Sequence, residues 1–199
     1  MNSSKIKTIS LGKPILTPYL IPVEHKATPN CINAPFMING ERYKVTAMAL
    51  GSPHGAVFTD CIDSVDVQKT GTALGTHPLF PKGADIVFIQ VLDGETLKTR
   101  IWLREKGETD FSAEAVCVAG VTSMMLHRVI TDKVKVLAGD DKFIVEWDRA
   151  TGNVFLTGEA ELLENTNSYA SGNNMGVRGT SSVVVRYFPR ISKVSPLGS

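Results

Sequence analysis

Ser112 and Glu114 stand two residues apart at the head of a long apolar run, where a hydroxyl and a carboxylate either do chemistry or start a helix. A serine nucleophile needs a base within hydrogen-bond reach. As helix starters the pair needs nothing more, because serine at an N-cap and an acid in the first turn complement the free N–H groups there. Arg104 precedes them. Its guanidinium suits a carboxylate ligand, or an ion pair with Glu105, Glu108 or Asp110. His54 follows a proline in GSPHG, a segment that reads as a tight turn and makes this histidine a structural or surface residue. The cysteines Cys31, Cys61 and Cys117 form no CxxC pair and no even framework, which points to a reducing, cytoplasmic compartment. His25, His77 and His127 show no metal-ligand spacing, and Cys61 with Asp60 and Asp63 reads as an ordinary loop, so no metal is expected. Phosphate-cradling glycine motifs are absent, and no cofactor is expected.

These residues surround one element. From Ala115 to Val129 the run AVCVAGVTSMMLHRV carries only His127 and Arg128 as strongly polar residues. A surface helix would show a polar face, so this helix is expected to be wrapped by other elements. At about 16 residues, rich in small side chains, it is too short for a membrane span.

The rest of the chain reads mainly as short strands. Lys5 to Leu11 alternates polar and apolar residues, and five prolines between Pro14 and Pro35 impose an extended path. Asn39-Gly40 predicts a hairpin between residues 36–38 and 41–50. Strands are predicted over residues 56–59, 86–92, 97–104, 133–137, 143–147 and 154–163, with a short helix capped by Ser64 running to about Leu74. The fold class is therefore α+β, a β-barrel or curled sheet closed around one central apolar helix. Residues 1–164 form this body. Residues 165–179 read as a glycine-rich linker, and Ser181 to Tyr187 (SSVVVRY) as a strand-forming arm, with Val183, Val184, Val185, Arg186 and Tyr187 as its interface residues.

Charge adds one asymmetry. The 199 residues carry a net charge of +1, which gives no footprint for nucleic acid or a membrane surface. All 20 acidic residues lie at or before Glu164, while Arg178, Arg186, Arg190 and Lys193 lie beyond it. The tail is thus suited to an acidic surface, such as a neighbouring copy of the body, or to solvent.

Several stretches in order resemble one family. LGSPHGAVF (50–58), HPLFPKGADIVFIQV (77–91), REKGET (104–109), FIVEWD (143–148) and VFLTGEAEL (154–162) are similar to the C-terminal half of diaminopimelate epimerase. The resemblance covers roughly residues 5 to 164. It implies one of two similar lobes, each a barrel around a helix, and an N-terminal lobe that this chain would lack. It also implies cofactor-independent proton exchange between two opposed cysteines at the starts of the two helices. By the family pattern Ser112 stands at the cysteine position, where an alcohol is too weak an acid and base to exchange an α-proton. Ala113, Glu114 and Ala115 replace a glycine-rich nest for the substrate carboxylate, and Glu114 would repel an anion. Ser52 and Asp85 replace ligand-contacting asparagines, and Leu103 a catalytic glutamate. His54 and Arg104 persist, making His54 the base within reach of Ser112 by family geometry. Cys117, five residues along the helix and roughly 7.5 Å down its axis, cannot substitute.

The resemblance thus implies a catalytically degenerate lobe acting as a non-enzymatic binding or self-assembling protein, either a homo-oligomer or joined to another chain. One alternative is an epimerase or isomerase subunit completed by a separate N-terminal lobe. The other is a module gripping a small carboxylate through Arg104 and His54 without turnover, with Arg104, Ser52, Asp85 and Glu114 as the ligand-binding positions.

Overall fold

The structure, a computed structural model, describes residues 5–21, 23, 30–164 and 186–187. Asn39 and Gly40 turn the chain with φ of 50° and 84°, the left-handed pair that a two-residue hairpin demands. The predicted hairpin follows, with β2 (Ala34–Ile38) antiparallel to β3 (Glu41–Leu50). A second, tighter turn at Gly51 leads directly into β4 (Ser52–Phe58). His54 therefore lies inside a strand and is fully buried, not on a surface turn, because β3–β4 pairing continues to Leu50 opposite Ser52.

The helix after β4 starts later than predicted. Ile62–Ser64 is a 3-10 turn, and Ser64 Oγ donates to the Cys61 carbonyl. Asp66 caps α1 (Val67–Gly75) instead, accepting from the Lys69 N–H at 3.0 Å. Then come β5 (Asp85–Val91), β6 (Thr96–Leu103) and a short β7 (Gly107–Thr109). The apolar helix α2 (Ala113–Met125) stops short of the predicted Val129, because His127 takes a left-handed φ of 53°. After β8 (Lys133–Ala138), β9 (Asp141–Trp147) and β10 (Val154–Glu159), the end of the last predicted strand is the helix α3 (Ala160–Glu164).

One mixed sheet holds the body together. Its order is β11-β1-β10-β9-β8-β6-β5-β4-β3-β2, with β1 (Ile6–Gly12) next to β10, β11 (Arg186–Tyr187) outside β1, and β7 beside β6. Beyond β1, Ile15 exchanges two backbone hydrogen bonds of 2.8 and 2.9 Å with Ala49 of β3. That bridge ties the segment after β1 to β3, one strand in from the β2 end of the path, and closes the curled sheet on itself.

α2 runs through it. The parallel pair β6–β8 is joined by way of α2, which touches β3, β4, β5, β6, β8, β9 and β10. Of its 13 residues 11 are buried, so the helix has no solvent face and its apolar composition follows. Gly120 permits the closest approach, since a Cβ there would stand 2.7 Å from Val145 Cγ1 on β9. The parallel pair β4–β5 is joined through α1, which packs outside the barrel. Phe36, Phe80, Leu74, Phe88 and Trp102 fill this second, outer core.

Candidate functional site

Side chains alternate across a strand, so Ser52, His54 and Ala56 of β4 share one face. Ala56 belongs to the core around α2, while Val57 belongs to the outer core. Ser52 and His54 therefore look inward. Asp85 heads β5 in register with His54 and shares a face with Val87 and Ile89, which also pack on α2. The first turn of α2 comes down on these residues from above.

Ser52 is the hub. Its Oγ lies 2.9 Å from Glu114 Oε2 and 3.1 Å from Asp85 Oδ2. A hydroxyl carries one proton, so at any instant it donates to one of the two carboxyls. The other oxygen of Asp85 accepts from the Arg104 backbone N–H at 3.0 Å and from Arg104 Nε at 3.2 Å. Arg104 Nη1 continues to the carbonyls of Lys82 and Gly83, at 2.9 and 3.4 Å. Its ion-pair partner is thus Asp85. The sequence neighbours Glu105, Glu108 and Asp110 are passed over because β5 and β6 are adjacent and deliver Asp85 to the end of β6. Glu108 goes instead to Arg100, at 2.6 Å.

Ser112 acts as the predicted N-cap. It has extended φ and ψ, and its Oγ accepts from the Ala115 N–H at 3.3 Å. No hydrogen bond joins it to His54. The His54 Nδ1 pairs with the Ser52 carbonyl at 2.8 Å, and because that carbonyl can only accept, Nδ1 is the donor. Nε2 is fully buried and has no hydrogen-bond partner among the described residues. Cys117 lies wholly inside α2's packing. Burial, reinforced by the Glu114 charge, pushes its thiol far above the ordinary range, so it is no thiolate nucleophile. Leu103 packs at the margin of the α2 core.

The arrangement brings together Ser52, Asp85, Arg104 and Glu114, ties His54 to the Ser52 backbone, and leaves Ser112 bonded to its own helix. Sequence reading missed Gly51 as a member of the site. Its φ is +80°, and a Cβ on it would fall on the Glu114 carboxylate. A glycine directly before Ser52 was the available signal.

A separate cleft of about 310 Å³ lies near the C-terminal end of α2, lined in part by Met124, His127, Ile130 and Arg149. Arg149 is committed there to Asp132 at 2.8 Å and to the face of Trp147. Of the predicted arm, Val183, Val184 and Val185 lie outside the described residues. Arg186 and Tyr187 pair with Thr8 and Lys7 of β1. No helix among the described residues is long and apolar enough to cross a membrane, and no three described His, Cys, Asp or Glu side chains converge as a metal site.

The family model for diaminopimelate epimerase matches residues 46–163, from the middle of β3 through α3. The chain belongs to the diaminopimelate epimerase family. A diaminopimelate epimerase of Acetivibrio thermocellus is 37% identical over 160 residues, covering 79% of this chain and 55% of that protein. One from Carboxydothermus hydrogenoformans is 34% identical over 158 residues, covering 78% and 55%. This diaminopimelate epimerase family chain spans about half the length of the curated relatives it matches. A solved hydroxyproline epimerase from Agrobacterium vitis, bound to trans-4-hydroxy-L-proline, superposes with a TM-score of 0.51 at 11% identity. It covers 78% of this chain and 50% of its own, and shows the shared fold.

Proposed function

We propose that this family member binds and assembles without epimerising. The observation that carries the reading is the Asp85–Ser52–Glu114 bridge, which commits the inward polar groups of the site to one another. Three further features support it. The Ser112 hydroxyl is spent on the helix cap, the Cys117 thiol is buried and hard to ionise, and Arg104 is held by Asp85 and two carbonyls.

Proton exchange at the α-carbon is the test. The full chain is incubated with diaminopimelate in D2O and α-deuteration is followed by NMR. Deuteration no faster than in protein-free buffer is expected. Deuteration that scales with protein concentration would sink the reading.

Assembly itself rests on the sheet edge. Among the described residues the outer side of β1 pairs with Arg186 and Tyr187 of the arm, and the same edge pairing made by the arm of a second copy would join two chains. Solution mass with and without residues 166–199 tests this. An oligomer that falls to a monomer on truncation is expected, and a monomer in both forms would overturn self-assembly through the arm.

A further inference from the structure

We propose that His77 is a proton-operated latch on this site: neutral, it holds the connection that clamps Arg104, and protonated, it lets that connection go. The inference concerns regulation of the Asp85–Arg104 pair and stands whether or not the chain epimerises.

The latch is built at both ring nitrogens. His77 follows α1, and the Leu79 N–H donates to its Nδ1 at 3.2 Å. An accepting nitrogen carries no proton, so the proton of the neutral ring sits on Nε2, where the Met37 carbonyl of β2 takes it. The ring thus ties β2, the last strand of the sheet path, to the start of the 77–84 connection. Phe36 packs against it with centroids 4.6 Å apart, and also against Phe80 at 5.3 Å.

From His77 the hydrogen bonds run on to the site. The His77 carbonyl accepts from the Phe80 N–H at 2.7 Å, the Phe80 carbonyl from the Gly83 N–H at 2.8 Å, and the Gly75 carbonyl from the Ala84 N–H at 3.0 Å. This ladder presents the Lys82 and Gly83 carbonyls to Arg104 Nη1, and delivers Asp85, the next residue, to Arg104 Nε.

Protonation places a second donor at Nδ1, facing the Leu79 N–H, and that bond is lost. Burial holds the imidazole below the ordinary histidine range, outweighing the Met37 carbonyl, which favours the cation. The ionisable groups on the elements around it are Glu41 and Tyr43 on β3, Lys69 on α1, Lys82 in the connection, and Asp85 and Arg104 at its end, while β2 has none. Tyr43 is bonded to Glu41 and Arg104 to Asp85, and among the described residues none of the six is bonded to the imidazole. The folded chain therefore takes this proton less readily than the unfolded chain. The stability the latch supplies is fully present above about pH 6.5, and is lost as the pH falls from there through the folded value.

The experiment follows the full chain by 15N NMR from about pH 7.5 to about pH 5. At the upper end His77 is expected as the Nε2–H tautomer. As the pH falls, the Leu79 amide should lose about tenfold or more of its protection from hydrogen exchange. The Leu79 amide and Arg104 Nε–H shifts should follow one midpoint, that of the His77 ring, below its ordinary value. H77N puts an amide oxygen where Nδ1 stands and does not titrate, so Leu79 should stay protected across the range. An Nδ1–H tautomer, a His77 midpoint that Leu79 and Arg104 do not share, or an H77N chain with the unaltered pH response would overturn the proposal. If H77N does not fold, the titration of the unaltered chain decides: a shared midpoint supports the latch, and separate midpoints overturn it.

Discussion

Phe143→Ala is expected to cost about 3–5 kcal/mol of folding stability, the range for truncating a fully buried aromatic side chain. Phe143 is 0% exposed and stacks on Phe111, with centroids 4.5 Å apart and planes 12° from parallel. Its ring also lies over Gly158 on β10, where a Cβ would come within 2.6 Å of Cδ1. The neighbours are strands paired on both sides and Phe111, just ahead of the central helix, so they cannot collapse into the hole. Urea denaturation should show a lower midpoint at an unchanged slope. A loss below about 1 kcal/mol would mean that the ring is not packed as described.

Gly120→Ala is the second large effect, and its sign opposes local propensity. In an exposed helix the change would gain roughly 1 kcal/mol. Here the new methyl would stand 2.7 Å from Val145 Cγ1 and 2.8 Å from Val145 Cβ, on a strand held by β8 and β10. We expect a net loss of about 1–3 kcal/mol from overpacking. Val145→Ala should cost stability alone yet remove the Cγ part of the clash, leaving the Cβ contact, so the double variant should lose less than the two losses combined. A stabilised Gly120→Ala would show that α2 does not approach β9 as closely as the structure places it.

Much of this fold was legible in the sequence for a physical reason. The uniformly apolar stretch ending in His127 and Arg128 has no solvent-facing stripe, and only a helix enclosed by a barrel removes the need for one. Asn39-Gly40 announced its hairpin because few other residue pairs take two left-handed conformations in succession. What escaped was tertiary. The GSPHG stretch looks like a turn locally, and cross-strand pairing alone makes four of its five residues strand. Ser64 and Asp66 are both good caps by type, and the 3-10 turn at Ile62–Ser64 decides for Asp66. Arg104 has three acids close in sequence, yet the adjacency of β5 and β6 gives it Asp85. In the site, single substitutions at positions 52, 85 and 114 could be read along the chain. That they answer one another through one hydroxyl could not, because residues 52 and 114 are brought together only by the barrel and its helix.

Closure of the barrel carries a consequence for how the chain acquires its structure. β1 is made well before its main partner β10, and Thr8 meets Thr157 at 2.7 Å across a separation of 149 residues. Until β10 has been made, β1 has no long strand to pair with, and the apolar α2 cannot be fully enclosed. Contacts of such span are slow to form, because loop closure must be met before pairing rewards it. During synthesis the N-terminal strand therefore waits as an open edge beside an exposed hydrophobic helix, the interval in which such a chain is most prone to aggregate and most dependent on chaperones.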